Sequence, residues 1–346
     1  MRYLFPLSPY NQQRQYEKEV WVYPVHLAMY ATWLKEHAHQ VEWGCPLDDE
    51  GYSKKELENE YDSIVIQSDE DIEVPFNQLP YPDRTFTDAK NPRWQSYGNY
   101  KHHPATHMMA SNLCWYGKCS FCIDKQKLDN GEKRYVRPVN HVIEEVDNCI
   151  KLGFKEIFDD SGTFPTGKWL EDFCAHMSGQ LIRRYKRVTL GCNLKPISLD
   201  YELMKASGFR MILVGLESAN QSTVEKLNKG ISVDDAVLNI IKMSEAGLEP
   251  HITVMFYDWE THEEAMKTVN LVHYLLKKGY AKTVQASVCM PPRTAPNENH
   301  RNKQYVQKVY DVYKHPAYWY RKIRDIKDLH DLTYLLKRID HIWRAK

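Results

Sequence analysis

MKASGFRMILVG (204–215) runs from the end of a helical pattern, through one glycine, into a short apolar run rich in Ile, Leu and Val. Three neighbours repeat that grammar: CIKLGFKEIF (149–158), MSEAGLEPHITVMF (243–256) and LLKKGYAKTVQASV (275–288). Glycine suits the left-handed position that closes a helix, and apolar β-branched runs suit strands buried on both faces. Strands are expected at 107–112, 155–159, 187–192, 210–215, 250–256 and 282–288. Strands that alternate with helices predict a parallel α/β sheet with right-handed crossovers. Six such units make an open doubly wound sheet or a partial barrel. Either way the chemistry belongs at the carboxyl ends of the strands.

The helices support this reading. Val142, Ile143, Val146, Cys149 and Ile150 form a core-facing stripe, as do Ala265, Val269, Val272 and Leu276. Thr261 with Glu264, and Ser232 with Asp235, have capping-box spacing. Upstream, MRYLF (1–5), VEWG (41–44) and SIVIQ (63–67) are strand candidates. Trp21 to His37 reads as a helix presenting Val22, Val25, Met29 and Trp33. Residues 1–75 therefore resemble half of a small Rossmann-like α/β domain. Residues 76–105 carry prolines at 80, 82, 92 and 104 and predict an extended connector; the barrel follows over 106–296. Residues 297–346 form a basic helical tail. Ile323, Ile326, Leu332, Leu335, Ile339 and Ile342 keep helical spacing and are expected to pack on the barrel.

Composition narrows the function classes. With 346 residues and 42% hydrophobic content the chain can bury a core. No apolar run is long enough to cross a membrane, and the N-terminal segment turns polar after Pro9, so no secretory signal is expected. A cytoplasmic location with reduced thiols follows as the expectation. Acidic and basic residues balance at 46 each, but unevenly: Asp48–Glu73 is strongly acidic, and Arg301–Lys346 is basic and aromatic. Such blocks are commonly solvated faces; a nucleic-acid surface is the alternative for the tail.

The chemistry points to MMASNLCWYGKCSFCIDK (108–125). Cys114, Cys119 and Cys122 are spaced C-x4-C-x2-C just after the first strand of the repeat. Thiolates select iron–sulfur, zinc or copper(I) over magnesium or calcium. A structural zinc or an ordinary electron-transfer 4Fe-4S cluster wants four ligands, and the sequence has no second CxxC. His102, His103 or His107 could complete a zinc site. Without them, three thiolates leave one iron open to a substrate.

These residues resemble the radical S-adenosylmethionine (radical SAM) superfamily. Its hallmark is three cysteines after the first strand of a partial (β/α)6 TIM-like barrel, with an aromatic before the last; Phe121 holds that place. The usual spacing is C-x3-C-x2-C, so one residue is extra here. EIFDDSGTF (156–164), GFRMILVGLESANQSTVEKLNKG (208–230), MPPRTAPN (290–297) and YPVHLAMYATWLKEHAHQVEWG (23–44) are similar to the cobalamin-binding branch, with a truncated N-terminal domain. The resemblance implies a 4Fe-4S cluster on Cys114, Cys119 and Cys122, whose open iron binds S-adenosylmethionine (SAM). SAM is then reductively cleaved to a 5′-deoxyadenosyl radical. Phe121, Asp159, Asp160, Lys195, Glu217 and Ser218 are the implied SAM-binding residues. Phe256, Asp258 and Arg293 depart from the glycine- and proline-rich turns of the family. Cys192 and Cys289, at strand ends, read as small buried residues or as thiols at the barrel mouth. Cobalamin binding is not expected, because only about 75 residues precede the connector and there is no D-x-H-x-x-G segment. The expected partners are a small-molecule or peptide substrate and a flavodoxin- or ferredoxin-like electron donor. The alternatives are a cobalamin-dependent methyltransferase, an RNA-modifying radical SAM enzyme and a non-catalytic zinc module.

Overall fold

The computed structural model describes residues 1–6, 22–45, 61–65, 72–95, 99–181, 188–289, 301–326 and 329–344. Arg293 and the segment 290–297 lie outside them. The chain divides into two compact units. One comprises Met1–Asn112 and Tyr135–Asp160; the other comprises Leu113–Arg134 and Ser161–Lys346.

The first unit opens with β1 (Arg2–Pro6), β2 (Gln40–Cys45) and β3 (Ser63–Ile64), paired in parallel in the order β2-β1-β3. The helix Val25–Glu36 joins the first two strands. It buries Val25, Leu27 through Thr32, and Leu34, which is wider than the one-sided stripe read from the sequence; Trp33 is only half-buried. The proline-containing segment is more than an extended connector. It buries Phe76, Leu79, Arg84, Trp94 and Tyr100.

The repeat supplies β4 (Ala105–Met108), β5 (Glu156–Asp159), β6 (Thr189–Leu194), β7 (Phe209–Glu217), β8 (Glu249–Phe256) and β9 (Thr283–Val288). They form one open six-stranded sheet in sequential order, with parallel neighbours, the topology of a partial (β/α)6 barrel. The repeat glycines end their helices as the pattern requires: φ is +97° at Gly208 and +78° at Gly279. The capping box at Thr261 and Glu264 is complete, and the Ser232 hydroxyl accepts from the Asp235 N–H. The tail docks differently from its periodicity. Tyr305, Val309, Val312 and Tyr318 are buried, whereas Ile323 and Leu332 are exposed. Ile326, Leu335 and Ile339 are half-buried, so the expected stripe is only partly covered.

Glu145 shows how the first unit tolerates charge in its core. It sits on the buried stripe of the helix Val139–Lys151 and is fully buried. Arg84 Nη2 donates to its Oε1 at 2.5 Å, and Arg137 Nη1 donates to its Oε2. Arg84 also donates to the His107 carbonyl at 2.6 Å, and Arg137 to the Met109 carbonyl at 3.0 Å. The two guanidiniums thus tie the connector and β4 to the helix. Burial opposes ionisation of Glu145, but Arg137 and Arg84 outweigh it and hold the carboxyl below its ordinary range. Breaking such a pair strands a buried charge. Glu145→Ala should therefore cost about 3–5 kcal/mol in urea unfolding at neutral pH. Because the folded pKa is depressed, the carboxylate's contribution is complete above the ordinary carboxylate range. It disappears as pH falls through the depressed value, so the gap between variant and parent should narrow in acid. An unchanged midpoint at neutral pH would contradict this account.

Candidate functional site

The cysteine loop belongs wholly to the second unit, and backbone bonds fix its shape. Cys122 immediately precedes the helix Ile123–Asp129, and its N–H donates to the Cys119 carbonyl at 3.1 Å. The Cys114 N–H donates to Asp124 Oδ2 at 2.8 Å. That carboxylate lies against Gly162, where any Cβ would overlap Oδ2. The Cys114 thiol meets Thr163 Oγ1 at 3.1 Å. The middle of the loop is pinned to the turn after the helix Gln221–Lys226. Ser120 N–H donates to the Leu227 carbonyl at 2.9 Å, Asn228 Nδ2 to the Lys118 carbonyl at 3.0 Å, and Tyr116 Oη to the Asn228 carbonyl at 2.9 Å. Gly230, with φ +61°, passes so close to the Tyr116 ring that a side chain there would overlap it.

Glu217 ends β7 with φ +64°, unusual for a residue with a side chain, where the pairing with β8 slips register. A left-handed glutamate costs on the order of 1–3 kcal/mol, and such strain clusters at functional sites. It directs the carboxylate to Lys229, whose Nζ donates to Oε1 at 2.6 Å, with both side chains buried. Gly215 leaves the space this pair occupies. Lys229 Nζ also lies 5.9 Å from the centre of the Phe121 ring.

Lys195 follows β6 directly and is 9% exposed. Its ammonium rests 3.2 Å from the centre of the Tyr116 ring and 5.6 Å from that of Trp115. Burial lowers its pKa, while Cys119 and Cys114 act to raise it. Cys119 is pushed up mainly by burial, with Lys229 opposing and Cys122, Glu217 and Cys114 adding to it. Cys122 is likewise raised by burial. The three thiols, Phe121, Lys195, Glu217 and Lys229 therefore share one electrostatic neighbourhood.

The other sequence candidates make contacts of their own. Ser218 Oγ donates to Glu260 Oε1 at 2.8 Å, in a buried network where Thr223 and Asn220 also reach Glu260. Asp159 and Asp160 belong to the first unit: Asp159 accepts from the Ala110 N–H at 2.7 Å, and the Asp160 side chain is exposed. Cys192 is buried and Cys289 half-buried. The three histidines considered as zinc ligands are also in the first unit, where His107 is buried against Tyr100 Oη, and burial lowers its pKa to about 3. Among the described residues, no three His, Cys, Asp or Glu side chains are arranged to hold a single metal ion. As a donor set, three soft thiols on one braced loop fit an iron–sulfur cluster.

Residues 108–272 match the model of the radical SAM superfamily. That stretch, a little under half of the chain, carries a radical SAM domain. No curated protein matches it. Among solved structures, it resembles OxsB, a cobalamin-dependent SAM radical enzyme, with aqua-cobalamin bound: 12% identity, 90% of this chain, 57% of that chain, TM-score 0.53. It also matches the radical SAM methyltransferase TsrM from Kitasatospora setae, at 18% identity over 53% of this chain and 34% of that chain, with a TM-score of 0.46. The chain thus spans about a third of TsrM and little more than half of OxsB. At these identities the OxsB likeness speaks to the radical SAM fold alone. No helix among the described residues is long and apolar enough to cross a membrane.

Sequence reasoning passed over Asp124, Thr163, Lys229 and Glu260. Lys229 lay in the quoted motif LNKG, but Lys-Gly after a helix reads first as a C-terminal cap. Its pairing carries a testable consequence. Lys229→Met strands the Glu217 carboxylate and should cost about 3–5 kcal/mol in urea unfolding. Adding Glu217→Gln should recover part of the loss. A single variant as stable as the parent would refute the buried pair.

Proposed function

We propose that this chain is a radical SAM enzyme in which Cys114, Cys119 and Cys122 ligate a 4Fe-4S cluster and the surrounding charged residues hold SAM. The observation that carries the proposal is three thiols on one braced loop, with a buried ammonium and a buried carboxylate beside them. Bound there, a 4Fe-4S cluster supplies the electron that cleaves SAM reductively to a 5′-deoxyadenosyl radical. Lys195 is the cation for the SAM carboxylate. Glu217, steadied by Lys229, faces the amino group or ribose. Phe121 offers an apolar edge beside the cluster. The half-buried thiols and the aromatic residues Trp115 and Tyr116 keep water from the reacting centre. A substrate molecule would give up a hydrogen atom to that radical. We place a small molecule or peptide in that role and a flavodoxin- or ferredoxin-like protein as reductant.

The proposal extends to cobalamin, which we expect this chain to do without. The sequence holds no D-x-H-x-x-G segment to supply a histidine ligand to cobalt. Purified protein mixed with hydroxocobalamin should retain none on gel filtration, and stoichiometric retention would restore the methyltransferase reading.

Anaerobically reconstituted protein should be brown, with about four irons per chain. It should release 5′-deoxyadenosine from SAM once reduced. Cys114→Ala, Cys119→Ala and Cys122→Ala should each abolish that product and lower the iron content. One tightly held zinc with no iron–sulfur absorption would sink the proposal in favour of a zinc module.

A further inference from the structure

The four residues between Cys114 and Cys119 include two aromatic rings that the reading above uses only to keep water out. One of them grips a cation. The Lys195 ammonium lies 3.2 Å from the centre of the Tyr116 ring and 5.6 Å from that of Trp115. Among the described residues this ammonium forms no ion pair and donates no hydrogen bond. Lysines this far from water are ordinarily paired with an anion. Here the face of a neutral ring stands in for one. The Lys195 Nζ still retains accessible surface, so an anion can reach it.

The ring is itself held from two sides. Its backbone belongs to the cysteine loop, and its hydroxyl donates to the Asn228 carbonyl at 2.9 Å. Gly230 makes room for that hydroxyl, which a Cβ there would overlap. The other ammonium near the ring, that of Lys118, is 6.0 Å from its centre and belongs to an exposed residue. The ring face is thus committed to Lys195. Lysine carries its charge on a flexible four-carbon stem and loses rotamer freedom when it binds an anion. A ring that already holds the ammonium removes much of that loss before the anion arrives. A neutral ring does not cancel a full charge, and it occupies one side of the ammonium, leaving N–H groups to donate elsewhere. Because the ring and the thiols share one loop, the cation is placed relative to the thiols.

We propose that Tyr116 is a positioning residue: its ring clamps the Lys195 ammonium where the SAM carboxylate arrives, and so sets the preference for a cofactor that bears a carboxylate. The inference rests on the proposed function, in which Lys195 meets that carboxylate.

The test uses cluster-loaded protein kept oxidised, so that SAM binds without being cleaved, and compares SAM with decarboxylated SAM by calorimetric titration. Tyr116→Leu should weaken SAM by about 3- to 30-fold, the range of a cation–π contact from partly exposed to desolvated, and leave decarboxylated SAM unchanged. Tyr116→Phe keeps the ring and should bind SAM within about twofold of the parent. In a Lys195→Met background, Tyr116→Leu should have no further effect on SAM. Equal weakening of SAM and decarboxylated SAM would show that Tyr116 only shapes the loop and would overturn the proposal. So would an unchanged affinity for SAM. Should Tyr116→Leu lose its cluster, pentafluorophenylalanine at position 116 keeps the ring's shape and reverses the charge of its face; it must then weaken SAM and spare decarboxylated SAM, or the proposal falls. If the parent itself does not bind SAM, the radical SAM site falls with this inference; if only the variant comparison fails, the site stands and Lys195 is placed without Tyr116.

Discussion

Three hydrogen bonds between the cysteine loop and the turn at 227–228 set the shape of everything around them. Ser120, Lys118 and Tyr116 are all tied to that turn. A loop with three thiols has no regular secondary structure to hold it, so its backbone must be satisfied from outside. The turn does so, and the next residue, Lys229, reaches Glu217. The positions of the thiols, the buried cation and the strained carboxylate are thus coupled through two consecutive turns of chain.

That coupling explains residues that otherwise look unfavourable. Glu217 in a left-handed conformation and a buried Lys–Glu pair are each costly alone. Together they place an acid beside the thiols without leaving its charge unpaired. Gly162, Gly215 and Gly230 are the other half of the arrangement, since a Cβ at any of them would overlap Asp124, the Lys229–Glu217 pair or Tyr116. The glycines there serve close packing around one site.

Much of this was legible in the sequence. The helix–glycine–strand grammar located four of the six strands of the large sheet, because buried parallel strands read as short unbroken apolar runs; the first strand, expected at 107–112, lies at Ala105–Met108. The thiols stood out because cysteine spacing is local. The partners of those thiols were harder. Lys229 is 107 residues from Cys122, and no periodicity links them. Glu145 was not singled out in the sequence: Arg84 lies 61 residues away, and Arg137, eight residues upstream, carries no spacing that marks it as a partner. The tail misled for a related reason: isoleucine spacing marks a potential face, but only tertiary contact decides which face is buried.

The central claim is that SAM meets an open iron held by the three thiols. Electron paramagnetic resonance of the reduced, cluster-loaded protein tests this most directly, with spectra recorded before and after adding SAM. A 4Fe-4S signal whose g-values shift when SAM is added is the predicted result. A 4Fe-4S signal that does not change with SAM would mean that the fourth iron is not open to it, and would contradict the account.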